Sequence, residues 1–299
     1  MIRELRDDDI PALTTLWREL RPDAVHSPLG LRHLVASFPE RAQAVHRVAE
    51  QEGELVAWSF AHRRWWRAGD TGYIWVGVRP EARGSGLGSR LWGVAEEHVA
   101  GLGLERVNAD VVGDQAGAAF LEERGFQRYR AVVISTVDPG RVDSGTVEPP
   151  AGYRLATYAE VDRHDLYELD MEASDDSPGE DTPHELTFEE WERDLMEQPD
   201  LAHEGSFVVL HEGKPVAYSA LSVDRESRRG RNEGTGTARA YRGRGLATLA
   251  KRAQLHWTAE QGIERVITDN DESNAPMLAI NRKLGYEPFV ERHGYVKEL

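Results

Sequence analysis

The chain carries one unusual loop twice, and that repeat limits its possible folds more than any other feature. VRPEARGSGLGSRLW runs from Val78 to Trp92, and TARAYRGRGLATLAKRA from Thr237 to Ala253. With Arg83 laid on Arg242, an offset of 159, LERVNADVV (104–112) falls on IERVITDND (263–271). ERGF (123–126) falls on KLGY (283–286) one residue further along. The opening MIRELRDDDIPAL shares its pattern with AGYRLATYAEVDR (151–163). Self-similarity at a fixed period marks a duplicated structural unit. The 299 residues then make two copies of about 150 residues each. Between them DPGRVDSGTVEPP, rich in Pro, Gly, Ser and Asp and without apolar periodicity, reads as a linker. The expected division is residues 1–138, a linker 139–150, and 151–299.

Each copy shows one order of elements. A short strand opens it, followed by a helix on which Ile10, Leu13, Leu16, Trp17 and Leu20 recur at helical spacing. A second helical region follows. Two strands then meet at Glu-Gly, in AVHRVAEQEGELVAWSFAH and in SFVVLHEGKPVAYSALSV, both hairpin signals. YIWVGV leads into the first loop, and GTGTA into the second. GTGTA is poor in strand formers, so its strand rests on the repeat. After each loop come a helix, a strand, a short helix and a final strand pair. The fold class is α+β: two tandem domains, each a mostly antiparallel mixed sheet flanked by helices.

Composition removes several functions. No apolar run approaches the roughly 18–20 residues of a membrane span. The N-terminus lacks the apolar core of a signal peptide, so a cytoplasmic protein is expected. The absence of cysteine excludes disulfides, thiolate metal sites and a cysteine nucleophile. The eleven histidines show no metal-ligand spacing, and no metal is expected. His62, His164 and His203 read as structural residues or as bases near an acceptor. Trp58, Trp65, Trp66 and Trp75 read as core or packing residues, with an aromatic acceptor pocket as the alternative. The net charge of −16 carries no basic footprint for nucleic acid. Residues 160–204 hold 18 Asp and Glu against two Arg, which leaves the rest neutral. That segment is a solvated face with a mobile acidic loop, or a cleft edge that attracts a cation.

The loops themselves point to phosphate. Arg83-x-x-Gly86-x-Gly88 and Arg242-x-x-Gly245-x-Ala247 each precede a helix. Glycine lets backbone approach a ligand closely. The first turn of a helix offers unpaired N–H groups and the positive end of the dipole. Together they form an anion site, with Arg79, Arg83, Arg90, Arg239, Arg242 and Arg244 nearby. A dinucleotide fingerprint fails, because the third glycine is one residue early and the loop follows about 70 residues with a hairpin rather than the first strand of a βαβ unit. A P-loop fails for want of Gly-Lys-Ser/Thr.

Arg-x-x-Gly-x-Gly/Ala resembles the acyl-CoA pyrophosphate signature of the GNAT superfamily of N-acyltransferases. SNAPMLAINRKLGY (Ser273 to Tyr286) resembles that family's second cofactor segment. The resemblance covers nearly the whole chain, twice. It implies acetyl-CoA as cofactor, with Val78 and Arg79, and Thr237 and Ala238, along the pantetheine arm. It implies pyrophosphate contacts from Arg83, Gly84, Ser85, Gly86, Leu87 and Gly88, and from Arg239, Arg242, Gly243, Arg244, Gly245, Leu246 and Ala247. Ser89 and Thr248 would add hydroxyls; Asn274, assisted by Asn270, would contact the cofactor.

The resemblance also implies direct acyl transfer to an amine, with a carboxylate base on the strand before the loop. Glu233 fits, and Ile74 is taken as its counterpart in the first copy. The family's Tyr acid is replaced by Leu121 and Asn281, which leaves Tyr286 and Tyr295 as substitutes. Asp110 and Asp114 are taken to stand where the second copy has Asn270 and Asn274. The expected protein is an N-acetyltransferase for a small, cationic primary amine, catalytic in its second copy and cofactor-binding or scaffolding in its first. A CoA-binding sensor or scaffold without turnover is the rival.

Overall fold

The structure is a computed structural model that describes residues 1–65, 70–142, 145–175 and 186–299. Trp66 and part of the acidic segment lie outside the described residues. In chain order the first half forms β1 (Ile2–Glu4), α1 (Ile10–Leu20), α2 (Pro28–Ala36), β2 (Val45–Gln51), β3 (Glu54–Arg63), β4 (Thr71–Val78), α3 (Leu87–Gly101), β5 (Arg106–Val112), α4 (Gln115–Glu122) and β6 (Gln127–Val137). The second half forms β7 (Tyr153–Thr157), α5 (Arg163–Ser174), α6 (Phe188–Trp191), β8 (Phe207–His211), β9 (Lys214–Asp224), β10 (Arg229–Thr237), α7 (Leu246–Glu260), β11 (Arg265–Asp271), α8 (Ala275–Lys283) and β12 (Glu287–Glu298).

Two compact units result: unit 1 is Met1–Val132 with Glu291–Leu299, and unit 2 is Val133–Val290. The division differs from the linear one at both ends. Most of the chain's last strand, from Glu291 on, belongs to unit 1, where Arg292–Glu298 pair antiparallel with Val112–Arg106 of β5. The expected linker also makes contacts inside unit 2. Carbonyls of Gly145 and Thr146 accept from His256 at 2.9 Å and Arg252 at 3.0 Å, and Val142 and Val147 pack on its core.

In unit 1 the sheet runs β1-β2-β3-β4-β5. The β2–β3 turn places Glu52 at φ 52° and Gly53 at φ 85°, the paired left-handed residues a two-residue hairpin requires. α1 turns Ile10, Leu13, Leu16 and Trp17 inward. Trp17 meets Trp58 and Trp75 edge-on, at ring centroids of 4.9 and 4.8 Å. These tryptophans are core. Phe38 takes His62 and Trp65 into the same aromatic layer. Burial pushes His62 down to about 3 and His46 down to about 4, so both stay neutral.

Unit 2 repeats the order as β7-β8-β9-β10-β11. Its β8–β9 turn repeats the left-handed pair at Glu212 and Gly213, φ 50° and 83°. The GTGTA stretch is a strand despite its composition, and packing explains the glycine. A Cβ on Gly236 would sit 2.5 Å from Ala173 Cβ on α5 and from Tyr218 Cε1 on β9. Glycine lets the helix and the ring lie directly on the strand.

Candidate active site

Both units share one backbone device. In unit 1, β4 and β5 pair in parallel only at Thr71–Arg106, Gly72–Val107 and Tyr73–Asn108. In unit 2, β10 and β11 pair only at Arg229–Arg265, Gly230–Val266 and Arg231–Ile267. Beyond those pairs the strands splay, which leaves the N–H and C=O groups on their facing edges without that ladder. The glycine loop lies at the open end. Gly84 and Gly86 have φ 76° and 75°, and Gly243 and Gly245 have φ 75° and 77°. Only residues without Cβ adopt this region freely. Gly86 and Gly245 cap α3 and α7. Side chains at Gly84, Gly243 or Gly245 would meet no atom within 4 Å, so bare backbone faces outward. Arg83 and Arg242 brace the turns alike, Nε donating to Val78 O at 3.0 Å and Thr237 O at 3.1 Å. This set fits an elongated ligand with a phosphate at the helix end and an arm in the splay.

In unit 1 a cavity of about 360 Å³ fills the splay, from Gly84, Gly86 and Gly88 down to Ile74, Ala109 and Leu121. Val78, Arg83, Leu87 and Ser89 also line it. Arg79 and Ser85 do not: Arg79 pairs with Glu19 at 2.7 Å, and Ser85 Oγ donates to Ala82 O at 3.0 Å. Asp114 is stabilised by Arg83 at 3.2 Å and caps α4 through Ala116 and Gly117 N–H. Asp110 is held by Arg21 at 3.3 Å, and Arg21 also grips buried Asp23. Each carboxylate thus has a cation beside it.

In unit 2, Glu233 owes its position to register. In unit 1, Ala61 and Phe60 pair with consecutive Ile74 and Trp75. In unit 2, Leu221 and Ala220 pair with Asn232 and Gly234. Glu233 is therefore the extra residue of a β-bulge. Ile74 is matched by Asn232, and Glu233 has no counterpart in unit 1. The same ladders correct a second expectation: Asp110 and Asp269 each lie two residues past the last parallel pair, so Asp110 matches Asp269 rather than Asn270.

The Glu233 side chain is 21% exposed and lies 3.5 Å from Arg231, which also binds Asp269. Burial raises its pKa above the usual carboxylate value, partly offset by Arg231 and by a hydrogen bond with Ser222. Leu221 packs with Leu255 of α7. Ser222, next on the strand, faces the other way, and Glu233 with it.

The remaining expected residues separate. Arg239 is engaged by Asp175 at 3.5 Å, and its N–H by Glu172 at 2.7 Å. Arg244 donates to Tyr153 at 2.8 Å. Leu246 is core, and Ala238 is buried. Ala247 and Thr248 are half-buried in the first turn of α7. Asn274 caps α8 through Met277 N–H at 3.2 Å, and Asn270 accepts from Asn281 at 2.6 Å. Tyr286 is buried in the unit 2 core, and burial pushes its phenol well above its ordinary value. Tyr295 belongs to unit 1, where it bonds Glu122 at 3.3 Å. It is not a side chain of Glu233's unit, because the last strand pairs with β5.

The acidic segment is largely used structurally. Asp162 caps α5, Asp165 pairs with Lys214 at 2.7 Å, and Arg163 pairs with Glu192 at 2.6 Å. Asp170 accepts from Trp191 Nε1 at 2.7 Å and from the Tyr218 hydroxyl, and burial raises its pKa. His164 stacks on Phe188, and burial lowers His203. Sequence reasoning passed over Lys251 and Asn232, both buried beneath the splay. The usable signal was the repeat itself, which puts Lys251 where the first copy has Trp92.

A splayed parallel pair, a left-handed glycine loop and a following helix, all duplicated, define a tandem acyl-CoA-type acyltransferase. The family model described as Acetyltransferase (GNAT) family matches residues 4–126 and 163–286, and the chain belongs to that family in both halves. Mycothiol acetyltransferase of Saccharomonospora viridis is 27% identical over 304 residues, 94% of this chain and 92% of the relative. Two solved structures share the fold. A tandem GNAT protein from the clavulanic acid biosynthesis pathway has TM-score 0.79 at 21% identity, over 100% of this chain and 98% of its own. A GCN5-related N-acetyltransferase from Sphaerobacter thermophilus has TM-score 0.71 at 21% identity, over 100% and 95%. Among the described residues no helix is long and apolar enough to cross a membrane.

Proposed function

We propose that the protein transfers the acetyl group of acetyl-CoA to a small, cationic primary amine, with the chemistry in unit 2. The observation that carries this is Glu233, a carboxylate inserted by a bulge beside the apex of one splay and missing from the other. An ammonium has no lone pair at neutral pH, so the acceptor must lose a proton before or as it attacks. Glu233 is placed to take that proton, and its raised pKa improves it as a base. Unpaired backbone N–H groups of β10 would polarise the acyl oxygen. When bound, acetyl-CoA supplies the activated acyl group; the loop from Gly243 to Ala247 would hold its pyrophosphate. The surplus of acid in residues 160–204 favours an acceptor of positive charge.

Unit 1 holds acyl-CoA in its cavity as a scaffold. Ile74, Trp92, Ala109 and Leu121 at its apex carry no group able to move a proton.

The experiment is CoA release from acetyl-CoA across a panel of amines, followed with a thiol reagent. The chain has no cysteine to contribute background. Release with one amine class, lost in Glu233→Gln, is the expected result. Acetyl-CoA binding without release across polyamines, aminoglycosides, amino sugars and peptide N-termini would favour a CoA-binding scaffold.

A further inference from the structure

Lys251 is fully buried on α7. α3 begins at Leu87 and α7 at Leu246, so Lys251 occupies the place of Trp92. Trp92 lines the unit 1 cavity together with Ile74 and Ala109. In unit 2 those two positions are Asn232 and Thr268, the first residues beyond the last β10–β11 pair. Lys251 Nζ donates to Asn232 Oδ1 at 3.1 Å and to Thr268 Oγ1 at 3.4 Å. The lysine thus bridges the two strands at the apex of the splay.

A buried ammonium is costly when its partners are neutral. Unit 1 fills the same place with an indole, so filling the core does not require a charge. The surroundings are also left incomplete. Gln254 Nε2, Asn281 Oδ1 and Tyr286 Oη are buried without a hydrogen-bond partner. These atoms leave hydrogen-bonding capacity around Lys251 that water or a ligand can use. Glu233 and Lys251 lie on opposite faces of β10. The Glu233 carboxylate lies 3.5 Å from Arg231, whose partner on β9 is Ser222 on the side away from α7, while Asn232 turns its amide to α7. An acyl group in the splay would lie between a base on one face and an ammonium on the other.

We propose that Lys251 is the proton donor to the sulfur that leaves the acyl carbon in unit 2, an assignment that rests on Glu233 acting as base in that unit. The acceptor ammonium gives one proton through the Glu233 carboxylate to water; the neutral nitrogen then bonds to the acyl carbon and gives its second proton to that carboxylate, which returns it to water after release. The carbon–sulfur bond breaks and its electron pair leaves on sulfur. Lys251 Nζ gives that sulfur a proton, becomes a neutral amine, and is reprotonated from water after release. Burial brings Lys251 down to about 7, so both of its states are populated near neutral pH, as a general acid needs. Asp269 on β11 opposes that shift. The Tyr286 ring, 5.0 Å from Nζ, stays neutral. The lysine takes the acid role that Leu121 and Asn281 cannot fill.

The test reads the sulfur directly. Thiolate absorbs in the ultraviolet where thiol does not, and in a chain without cysteine that signal comes from CoA alone. Free thiol ionises near pH ~8.5. Bound to the wild type at pH 7, CoA is expected to stand as thiol, with no thiolate signal above that of free CoA, because the proton has passed from Lys251 to sulfur. Turnover in Lys251→Met is expected to fall by about 10²-fold or more in kcat, with KM for acetyl-CoA nearly unchanged. A Lys251→Met protein that keeps its kcat overturns the proposal. Should that variant fail to fold, the wild type decides: bound CoA that stays thiolate at pH 7, its proton kept by Lys251, overturns it. Glu233→Gln, run in parallel, separates the two assignments. Full turnover there, with kcat still lost in Lys251→Met, removes the base and keeps Lys251 as the acid.

Discussion

The two splays are one backbone device filled in two ways. At the apex of unit 1 stand Ile74, Ala109 and Trp92, around an open cavity. At the apex of unit 2 stand Asn232, Thr268 and Lys251, joined by hydrogen bonds, with Glu233 set beside them by a bulge. An apolar apex receives a ligand arm and excludes charge. A polar apex with a carboxylate and an amine on opposite faces can move protons. On the proposed reading, a duplicated domain would separate holding a ligand from reacting with it without altering its strand order.

The comparison breaks most readily at Glu233. Glu233→Gln should lower kcat by about 10²–10⁴-fold, read by CoA release, because it removes the base and keeps the shape. Activity retained there and lost in Gly86→Glu would move the chemistry to unit 1. The rate should also fall as pH drops through the Glu233 pKa, which lies above the ordinary carboxylate value. A pH–rate profile of wild type against Glu233→Gln checks that limb.

Stability separates the units next. Trp58 is 1% exposed among the edge-on tryptophans of unit 1. Trp58→Ala should cost about 3–5 kcal/mol, and exchange protection should drop in unit 1 first. Unit 2 should instead respond to pH. The Lys251 pKa is depressed in the fold, to about 7, so the unfolded chain holds more protons above that value. Unit 2 should therefore gain stability as pH rises from about 7 towards ~10.4. Denaturation at several pH values would show this slope in the wild type and its loss in Lys251→Met. The smallest effect is expected at Tyr295. Tyr295→Phe removes one 3.3 Å hydrogen bond to Glu122 and should cost about 0.5–1.5 kcal/mol. Turnover unchanged within twofold would agree with its place in unit 1.

Much of this architecture is written locally. The Glu-Gly hairpins, the first helix and the helix after each loop follow from patterns that span fewer than twenty residues, and comparing such patterns 159 residues apart exposes the repeat. Such patterns reflect backbone geometry that neighbours in sequence enforce: left-handed glycine, helical apolar spacing, a two-residue turn. They also sufficed to propose the two glycine loops and Glu233 as candidates. Tertiary pairing decided the rest. Whether Glu233 aligns with Ile74 or is an inserted bulge depends on β9, a separate strand whose register the β10 sequence does not contain. Tyr295 follows Glu233 by sixty-two residues yet belongs to unit 1, because β12 pairs with β5. Lys251 reads as an ordinary helix cation until α7 packs it under Asn232 and Thr268. Hydrogen-bond register and burial are sums over distant partners, so no local window of the sequence carries them.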